Sequence, residues 1–507
     1  MSVAARVSAF AALALLGGVG TVYTPVPTFT AVAVIFALGL WAFARSRRPS
    51  LAGPRISGRA KTKPRGTPGT RLVSGYLLLF WLGLIVPLAA YTPGDESSVA
   101  ATQAASTGSL RNQVLISTFG LVGALFLPAA IRRFDRAFQW LVVLWVLYLG
   151  WAAASLIWSV NPLLTVRNVV AVILVSFGCF GLGAGFYGRL PNGRDLFLRH
   201  VFWAGVLSAL MILLPLPFHF EQYDLLSPSG RLQIGGERGK YAVRPVMCAL
   251  LALVATPILG VRRWQRRDFF WVAIFALTLL ALKERGPILW GMLALGGFYL
   301  FYKTRIQDRV LQAGSLFVIG VGTYIVYSQN VLETTFAPLV QYLTRGSVET
   351  TAKLTGRIPL WEILIGEVGQ RPWLGAGFAT FWGSLDILQA FGVQDLDAPS
   401  AHNGYLEELL NTGIIGLAFL LAFCVGTLTV VRRQARRGDP LGWLVFLYMV
   451  YYLLLNLTNA VTQEYFEPVV VIILVALGLM ASRPATNPPT SPMGPAAARR
   501  PGDAPPR

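Results

Sequence analysis

Charge is scarce in this chain, and histidine and cysteine are scarcer. Of 507 residues only 13% are charged, three are histidine and three are cysteine. A soluble protein carries about 25% charged residues, so an ordinary soluble fold is excluded. Cys179, Cys248 and Cys424 all lie inside apolar stretches, which leaves no outward disulfide or cysteine metal site. No Walker motif, GxSxG or HExxH is present, no strand alternation suggests a barrel, and no fixed-period repeat is visible. Ionisable residues are almost missing from the apolar stretches themselves. That argues against an ion-coupled transporter, which needs such groups at mid-membrane.

What the chain has instead is apolar length. Hydrophobic residues make up 55%, gathered into stretches of roughly 17–21 residues, and about 20 helical residues cross a bilayer core. The pattern predicts an all-α polytopic membrane protein of about 14 transmembrane helices. Their centres fall near residues 13, 36, 82, 121, 148, 177, 207, 251, 276, 295, 319, 421, 450 and 473. Arg6 ahead of the first apolar core resembles a signal peptide, but no small-x-small cleavage site follows, so an uncleaved helix is expected.

The net charge of +20 is a topology signal and not a nucleic-acid footprint. Every second loop is basic, among them "RSRRPSLAGPRISGRAKTKPRGTPGTR", "RRFDR", "RRWQRRD" and "RRQARR". Together these loops and the termini hold 31 of the 43 Lys+Arg and 6 of the 23 Asp+Glu. The positive-inside rule then puts both termini in the cytoplasm. The expected organisation is an N-terminal transmembrane pair at 1–44 and a disordered basic cytoplasmic linker at 45–72. A transmembrane core follows at 73–482, and a Pro/Ala/Arg cytoplasmic tail at 483–507. Within the core, the loop at 329–411 is long, extracytoplasmic and not of disordered composition. In "LTGRIPLWEILIGEVGQRPWLGAGFATFWG", Ile358, Trp361, Leu364 and Ile365 share a helical face, and Pro359 suits a first turn. Tyr405, Leu406, Leu409 and Leu410 form a second stripe. Two amphipathic helices would roof the bundle on its outer side.

Candidate chemistry collects on that side. Arg231, Arg238, Lys240, Arg285 and Arg357 lie in outward segments, several beside glycines ("SGRLQIGGERGK", "LTGRIP"). Guanidinium forks among glycines suit phosphate or pyrophosphate, although any one of these arginines could equally be a salt-bridge partner. His402, in "APSAHNGYLEELLNTGIIG", opens a helix, where the dipole favours the neutral imidazole. A neutral imidazole can accept a proton from an attacking hydroxyl. It could equally cap the helix together with Asn403. Glu407 and Glu408 follow about a turn and a half later, and one could orient or assist. Glu407 joins His402 as the candidate catalytic pair. His219 is outward and weaker, His200 is cytoplasmic, and Asp395-x-Asp397 is a weak metal motif on a side without nucleotide sugars.

The ordered set of a GR-x-x-x-W helix, a P-x-x-G-x-G-x-x-x-F turn and HN-x-x-L-x-x-x-x-x-x-G-x-x-G running into a membrane helix resembles a known signature. It is that of the bacterial O-antigen ligase and polymerase superfamily, in its exopolysaccharide polymerase-like branch. "IWSVNPLLTVRN" (157–168) and "GRLQIGG" (230–236) resemble weaker family landmarks, whereas "ERGKYAVRP" departs from the short segment that usually follows the second. The resemblance implies a C-type glycosyltransferase architecture. It also implies a metal- and nucleotide-independent transfer, without cofactor, of a glycan from polyprenyl pyrophosphate to a sugar hydroxyl. It casts His402 as the catalytic histidine and Arg357, Arg231, Arg285 and Arg238 as pyrophosphate ligands. The expected partners are the lipid-linked donor, a glycan or lipid-linked acceptor, a chain-length regulator and a flippase. The rivals are a flippase or exporter of lipid-linked oligosaccharide, which predicts a charged central cavity and two similar halves, and a non-catalytic assembly scaffold.

Overall fold

The computed structural model describes residues 120, 134, 136–190, 192–213, 233–234, 237–238, 240–282, 285–304, 357–383, 400–462 and 467–482. Those residues form ten α-helices, in chain order α1 (Arg136–Ala154), α2 (Pro162–Gly181), α3 (Gly193–Leu213), α4 (Lys240–Ile258), α5 (Arg266–Leu282), α6 (Arg285–Thr304), α7 (Arg357–Gln370), α8 (Gly404–Arg436), α9 (Pro440–Leu455) and α10 (Pro468–Ala481). The strands among the described residues are two-residue pieces, β1 (Gln233–Ile234) and β2 (Glu237–Arg238), paired antiparallel with Gln233 opposite Arg238. The architecture is that of a helical membrane protein. Three stretches, Arg136–Ile157, Pro162–Arg189 and Gly404–Arg436, are long and apolar enough to cross a bilayer.

Nine of the expected apolar centres, from 148 to 295 and from 421 to 473, fall within α1–α6 and α8–α10. The centres near 13, 36, 82, 121 and 319 lie outside the described residues, as do segments 1–44, 45–72 and 483–507 and most of the 329–411 loop.

Helix α10 is the middle of the bundle. Its sequence, "PVVVIILVALGLMA", is apolar all round, which marks a helix with no solvent face, and nearly every residue in it is buried. It packs against α2, α4 and α9. Against α2 the backbones nearly touch: a Cβ on Gly183 would lie 2.0 Å from the Val475 carbonyl oxygen, and one on Gly478 would lie 2.5 Å from that of Phe180. Small residues permit this approach, which supplies packing where lipid removes the hydrophobic drive between helices. The contact coincides with a π-helical turn at Leu182–Phe186. Large apolar side chains stay exposed around the rim, among them Trp140, Phe269, Phe270, Leu277 and Val425, a surface suited to acyl chains.

Neighbouring helices alternate in direction, so the loops sort into two ends. At one end Arg194 of α3 pairs with Asp439 before α9 at 2.5 Å, Arg262 pairs with Asp268, and Arg136 of α1 meets Arg433 and Arg437 near the end of α8. At the other end Arg244, one turn into α4, makes a buried ion pair with Glu467, which precedes α10. The residues before α8 meet the turn after α9 at this same end. The described arginine-rich loops therefore share one end, as their alternation along the chain requires.

One detail of the expected roof differs. In α7 the inward face is Leu360, Trp361, Leu364 and Val368, packed with Ala376, Phe381, Leu406 and Leu410, while Ile365 is exposed. The i, i+4, i+8 row carries the burial, and Ile365 lies beside it. The stripe Tyr405–Leu410 lies on a short helix of its own, the first part of α8, and a non-helical break at Gly413 (φ 68°, ψ −172°) separates it from the membrane-length part.

Candidate functional site

The site begins at a three-residue turn, Ala401–His402–Asn403. The N–H of Ala401 donates to Glu407 Oε2 at 2.8 Å, and its carbonyl accepts from Trp361 Nε1 at 2.7 Å. Asn403 is the N-cap of α8: its Oδ1 accepts from the N–H groups of Tyr405 (3.0 Å) and Leu406 (3.1 Å), the interaction that satisfies a helix's first donors. The capping role is thus Asn403's. Between these anchors His402 is half-buried and takes a left-handed backbone, φ 51°. That region is uncommon for a side-chain-bearing residue and costs about 1–3 kcal/mol, so it persists only where the surroundings enforce it.

Glu407 is one enforcing group. Its carboxylate is buried, with Oε2 on Ala401 and Oε1 accepting from Trp382 Nε1 (2.8 Å) and Asn411 Nδ2 (3.3 Å). Both oxygens are engaged by groups of the chain itself. Chemically this suits holding the turn more than exchanging protons with a substrate. Glu408 points elsewhere, towards Tyr148 Oη (3.3 Å) and Thr412 Oγ1 (2.6 Å), and ties α8 to α1.

Beneath the turn, α8 breaks at Gly413 and the "RPWLGAGFATF" segment fills the gap. Leu410 O accepts from Ala376 N, Asn411 O from Gly377 N, and Ile414 N donates to Pro372 O, all at 2.8 Å. Trp151 Nε1 donates to Thr412 O at 3.0 Å. Every bond replaces one that the break removed, as a low-dielectric setting demands. The glycines are dictated by space as well as φ. A Cβ on Gly375 would lie 2.5 Å from Asn411 backbone, and one on Gly413 would lie 2.2 Å from Trp373 O.

Asn411 is the junction, and the sequence reasoning missed it. Fully buried, it accepts on Oδ1 from the N–H groups of Thr380 (2.8 Å) and Phe381 (2.9 Å), while Nδ2 donates to Glu407 O (2.9 Å) and Oε1. It links the glycine turn to the carboxylate that holds the histidine turn. A polar "NTG" inside an apolar run was its available signal. The "IWSVNPLLTVRN" segment joins from the other side: Trp158 Nε1 donates to Leu374 O, Val160 N to Ala376 O, and Asn168 Nδ2 to Ala379 O.

The candidate arginines are placed by their backbone elements. Arg357 opens α7 four residues, one turn, before the Trp361 that bonds Ala401. Arg285 opens α6. A Cβ on the next residue, Gly286, would lie 2.9 Å from Asn459 Nδ2, and Trp290 Nε1 donates to Thr458 Oγ1 at 2.8 Å. The same turn receives the N–H of Gly404 on Asn456 O (2.8 Å) and Asn403 Nδ2 on Leu457 O (3.4 Å). The starts of α6, α7 and α8 therefore meet around one turn, the last two directly and α6 through residues 456–459. Arg238 lies in β2, two residues before α4. Arg231, His219, Lys283, Glu284 and Asp395-x-Asp397 lie outside the described residues, and His200 sits at the arginine-rich end, its Nδ1 2.6 Å from Tyr187 Oη. Trp382, Asn456 and Thr458 were likewise not singled out from sequence, and Trp361 was read only for its helical face and its place in the motif. A tryptophan in an apolar run carries no mark of its hydrogen bond.

No curated protein matches the chain. The family model described as O-antigen ligase matches residues 269–421, which contain α6, α7, the glycine turn, the histidine turn and the break in α8. The motif order and this match agree: residues 269–421 of this membrane protein are similar to the O-antigen ligase family, and the match supports the O-antigen ligase/polymerase superfamily.

Proposed function

We propose that the protein is a polymerase or ligase of cell-surface polysaccharide acting at the outer leaflet of a bacterial plasma membrane. An acceptor sugar hydroxyl attacks the anomeric carbon of a glycan on polyprenyl pyrophosphate. The C–O bond to pyrophosphate breaks with its electron pair leaving on the phosphate oxygen, the anomeric centre inverts, and polyprenyl pyrophosphate departs. His402 takes the hydroxyl proton on an imidazole nitrogen. Arg357, Arg285, Arg238 and Arg231 meet the charge on the leaving pyrophosphate, an electrostatic task that needs neither metal nor nucleotide. Glu407 acts here as a positioning residue for His402. Between the two activities, the motif favours polymerase.

The observation that carries this reading is the clamped turn. Ala401 is held by Glu407 and Trp361, and Asn403 and Gly404 by residues 456–457, so His402 is fixed where α7 and α6 begin. In the proposed topology about 14 helices cross the membrane, with both termini cytoplasmic. The 45–72 segment and the 483–507 tail lie on the cytoplasmic side, and the 329–411 loop lies on the outer side. The gathering of arginine-rich loops at the end opposite His402 supports that orientation.

The test supplies purified protein in liposomes with polyprenyl-pyrophosphate-linked repeat units and resolves the glycans by length. Wild type yields longer or transferred glycans, whereas His402→Ala and Arg357→Ala leave the donor intact. A donor that crosses the bilayer unchanged would instead identify a flippase. Wild-type product from both variants would defeat the assignment of the site.

A further inference from the structure

A second cluster of arginines, far from the histidine turn, is not used by this chemistry. At the arginine-rich end a cleft of about 250 Å³ lies between the start of α1 and the last turn of α8, lined by Arg136, Ala137, Val430, Arg433, Gln434 and Arg437. Among the described residues no carboxylate lines it. The nearby Asp439 is already engaged, accepting from Arg194 at 2.5 Å and from the N–H of Leu441 at 3.0 Å.

The helix dipoles account for part of this. Arg433 and Arg437 sit at the C-terminal end of α8, where cations are favoured. Arg136 does not fit that account. It is the first residue of α1, at the positive end of its helix, and it shares the cleft with two further guanidinium groups. The three guanidinium groups are exposed at the mouth of the cleft and make a positive patch that attracts an anion.

The surroundings say which kind. One face of α1 runs from Arg136 through Trp140, Val143 and Leu147, at spacings of four, three and four residues, and these apolar side chains are exposed, Trp140 by 67%. On α8 the row below Arg433 passes Thr429, whose hydroxyl donates to Val425 O, and continues as exposed Val425 (61%) and Leu421. Both exposed rows lead from the cleft into membrane-length apolar helices. A free phosphate would use only the guanidinium groups, whereas a lipid uses the guanidinium groups and both apolar rows. We infer that this cleft binds the phosphate of an anionic phospholipid, with the acyl chains lying along α1 and α8. Arginine forks bind phosphate oxygens bidentately, and basic pockets between transmembrane helices are suited to such headgroups.

The experiment measures the dissociation constant of phosphatidylglycerol for the purified full-length protein by native mass spectrometry, with phosphatidylcholine and inorganic phosphate as parallel probes. Phosphatidylglycerol binds the wild type more tightly than either. Arg433→Gln and Arg437→Gln each weaken it about fivefold, while Arg267→Gln, an exposed arginine at the same end but outside the cleft, leaves it unchanged. Each variant is used only if its unfolding midpoint in phosphatidylcholine matches wild type; Arg437→Lys, which keeps the charge and loses the fork, replaces one that does not fold and still weakens binding. Equal affinity for phosphatidylcholine, equal affinity for inorganic phosphate, an equal loss in Arg267→Gln, or no loss in the cleft variants would each overturn the assignment.

Discussion

The left-handed backbone at His402 allows its fold role and its chemical role to be separated by substitution. At φ 51° a residue with a Cβ carries about 1–2 kcal/mol of steric cost that glycine escapes. Glycine in turn gives back about 0.5–1 kcal/mol through the freer unfolded chain. His402→Gly should therefore be between neutral and about 1.5 kcal/mol more stable, and His402→Asn, whose side chain tolerates this region, should be close to neutral. Turnover should move the opposite way, falling about 10²–10⁴-fold in both, the span that general-base catalysis contributes. Thermal unfolding of the purified variants in one detergent, beside transfer of a lipid-linked glycan, reads both quantities. A glycine variant that unfolds several degrees early would mean that the imidazole is a packing group. Activity above about a tenth of wild type in either variant would remove His402 from the reaction.

Further substitutions probe what surrounds it. Glu407→Gln puts an NH₂ against either Ala401 N–H or the Trp382 and Asn411 donors. It should lower kcat about 10²-fold by shifting the turn while KM for donor holds; a KM change alone would point to substrate contact instead. Asn411→Ala strips Thr380 and Phe381 of their acceptor and should cost about 1–3 kcal/mol for each unmet donor, read by chemical denaturation, and an unchanged midpoint would contradict the junction role. Gly413→Ala needs φ 68° and places Cβ 2.2 Å from Trp373 O, so it should destabilise by at least about 1–2 kcal/mol; a silent result would mean that the break in α8 is not as described. Glu467→Gln should cost about 3–5 kcal/mol by stripping the buried Arg244 of its counter-charge, and the pair Arg244→Met with Glu467→Leu should recover most of it. A double variant no better than the single would refute that reading.

The sequence showed its long-range order better than its local joints. Apolar length located α1–α6 and α8–α10, because twenty lipid-facing residues cannot hide their composition, and alternating arginines anticipated that the described basic loops share one end. The placing of His402 before a helix and of Arg357 at the start of another was also legible, since caps and first-turn prolines leave local marks. The break in α8 was not. Gly413 reads as a small residue in an apolar run until Ala376, Gly377 and Pro372 are seen filling the vacated hydrogen bonds. Asn411 was hidden for the same reason, because its partners are about 30 residues away in sequence. The face of α7 was misjudged by one residue: Ile365 and Leu364 are equally apolar, and only the neighbour across the interface decides which is buried.

In the proposed reaction the labour is divided, with one imidazole taking the proton and the arginines holding the departing pyrophosphate. This division is tested most directly by measuring donor affinity and turnover together for His402→Asn and Arg357→Ala. The histidine variant should bind polyprenyl-pyrophosphate-linked glycan as wild type does but fail to transfer it, and the arginine variant should bind it more weakly. Retained transfer in the first, or undiminished binding and transfer in the second, would contradict that division.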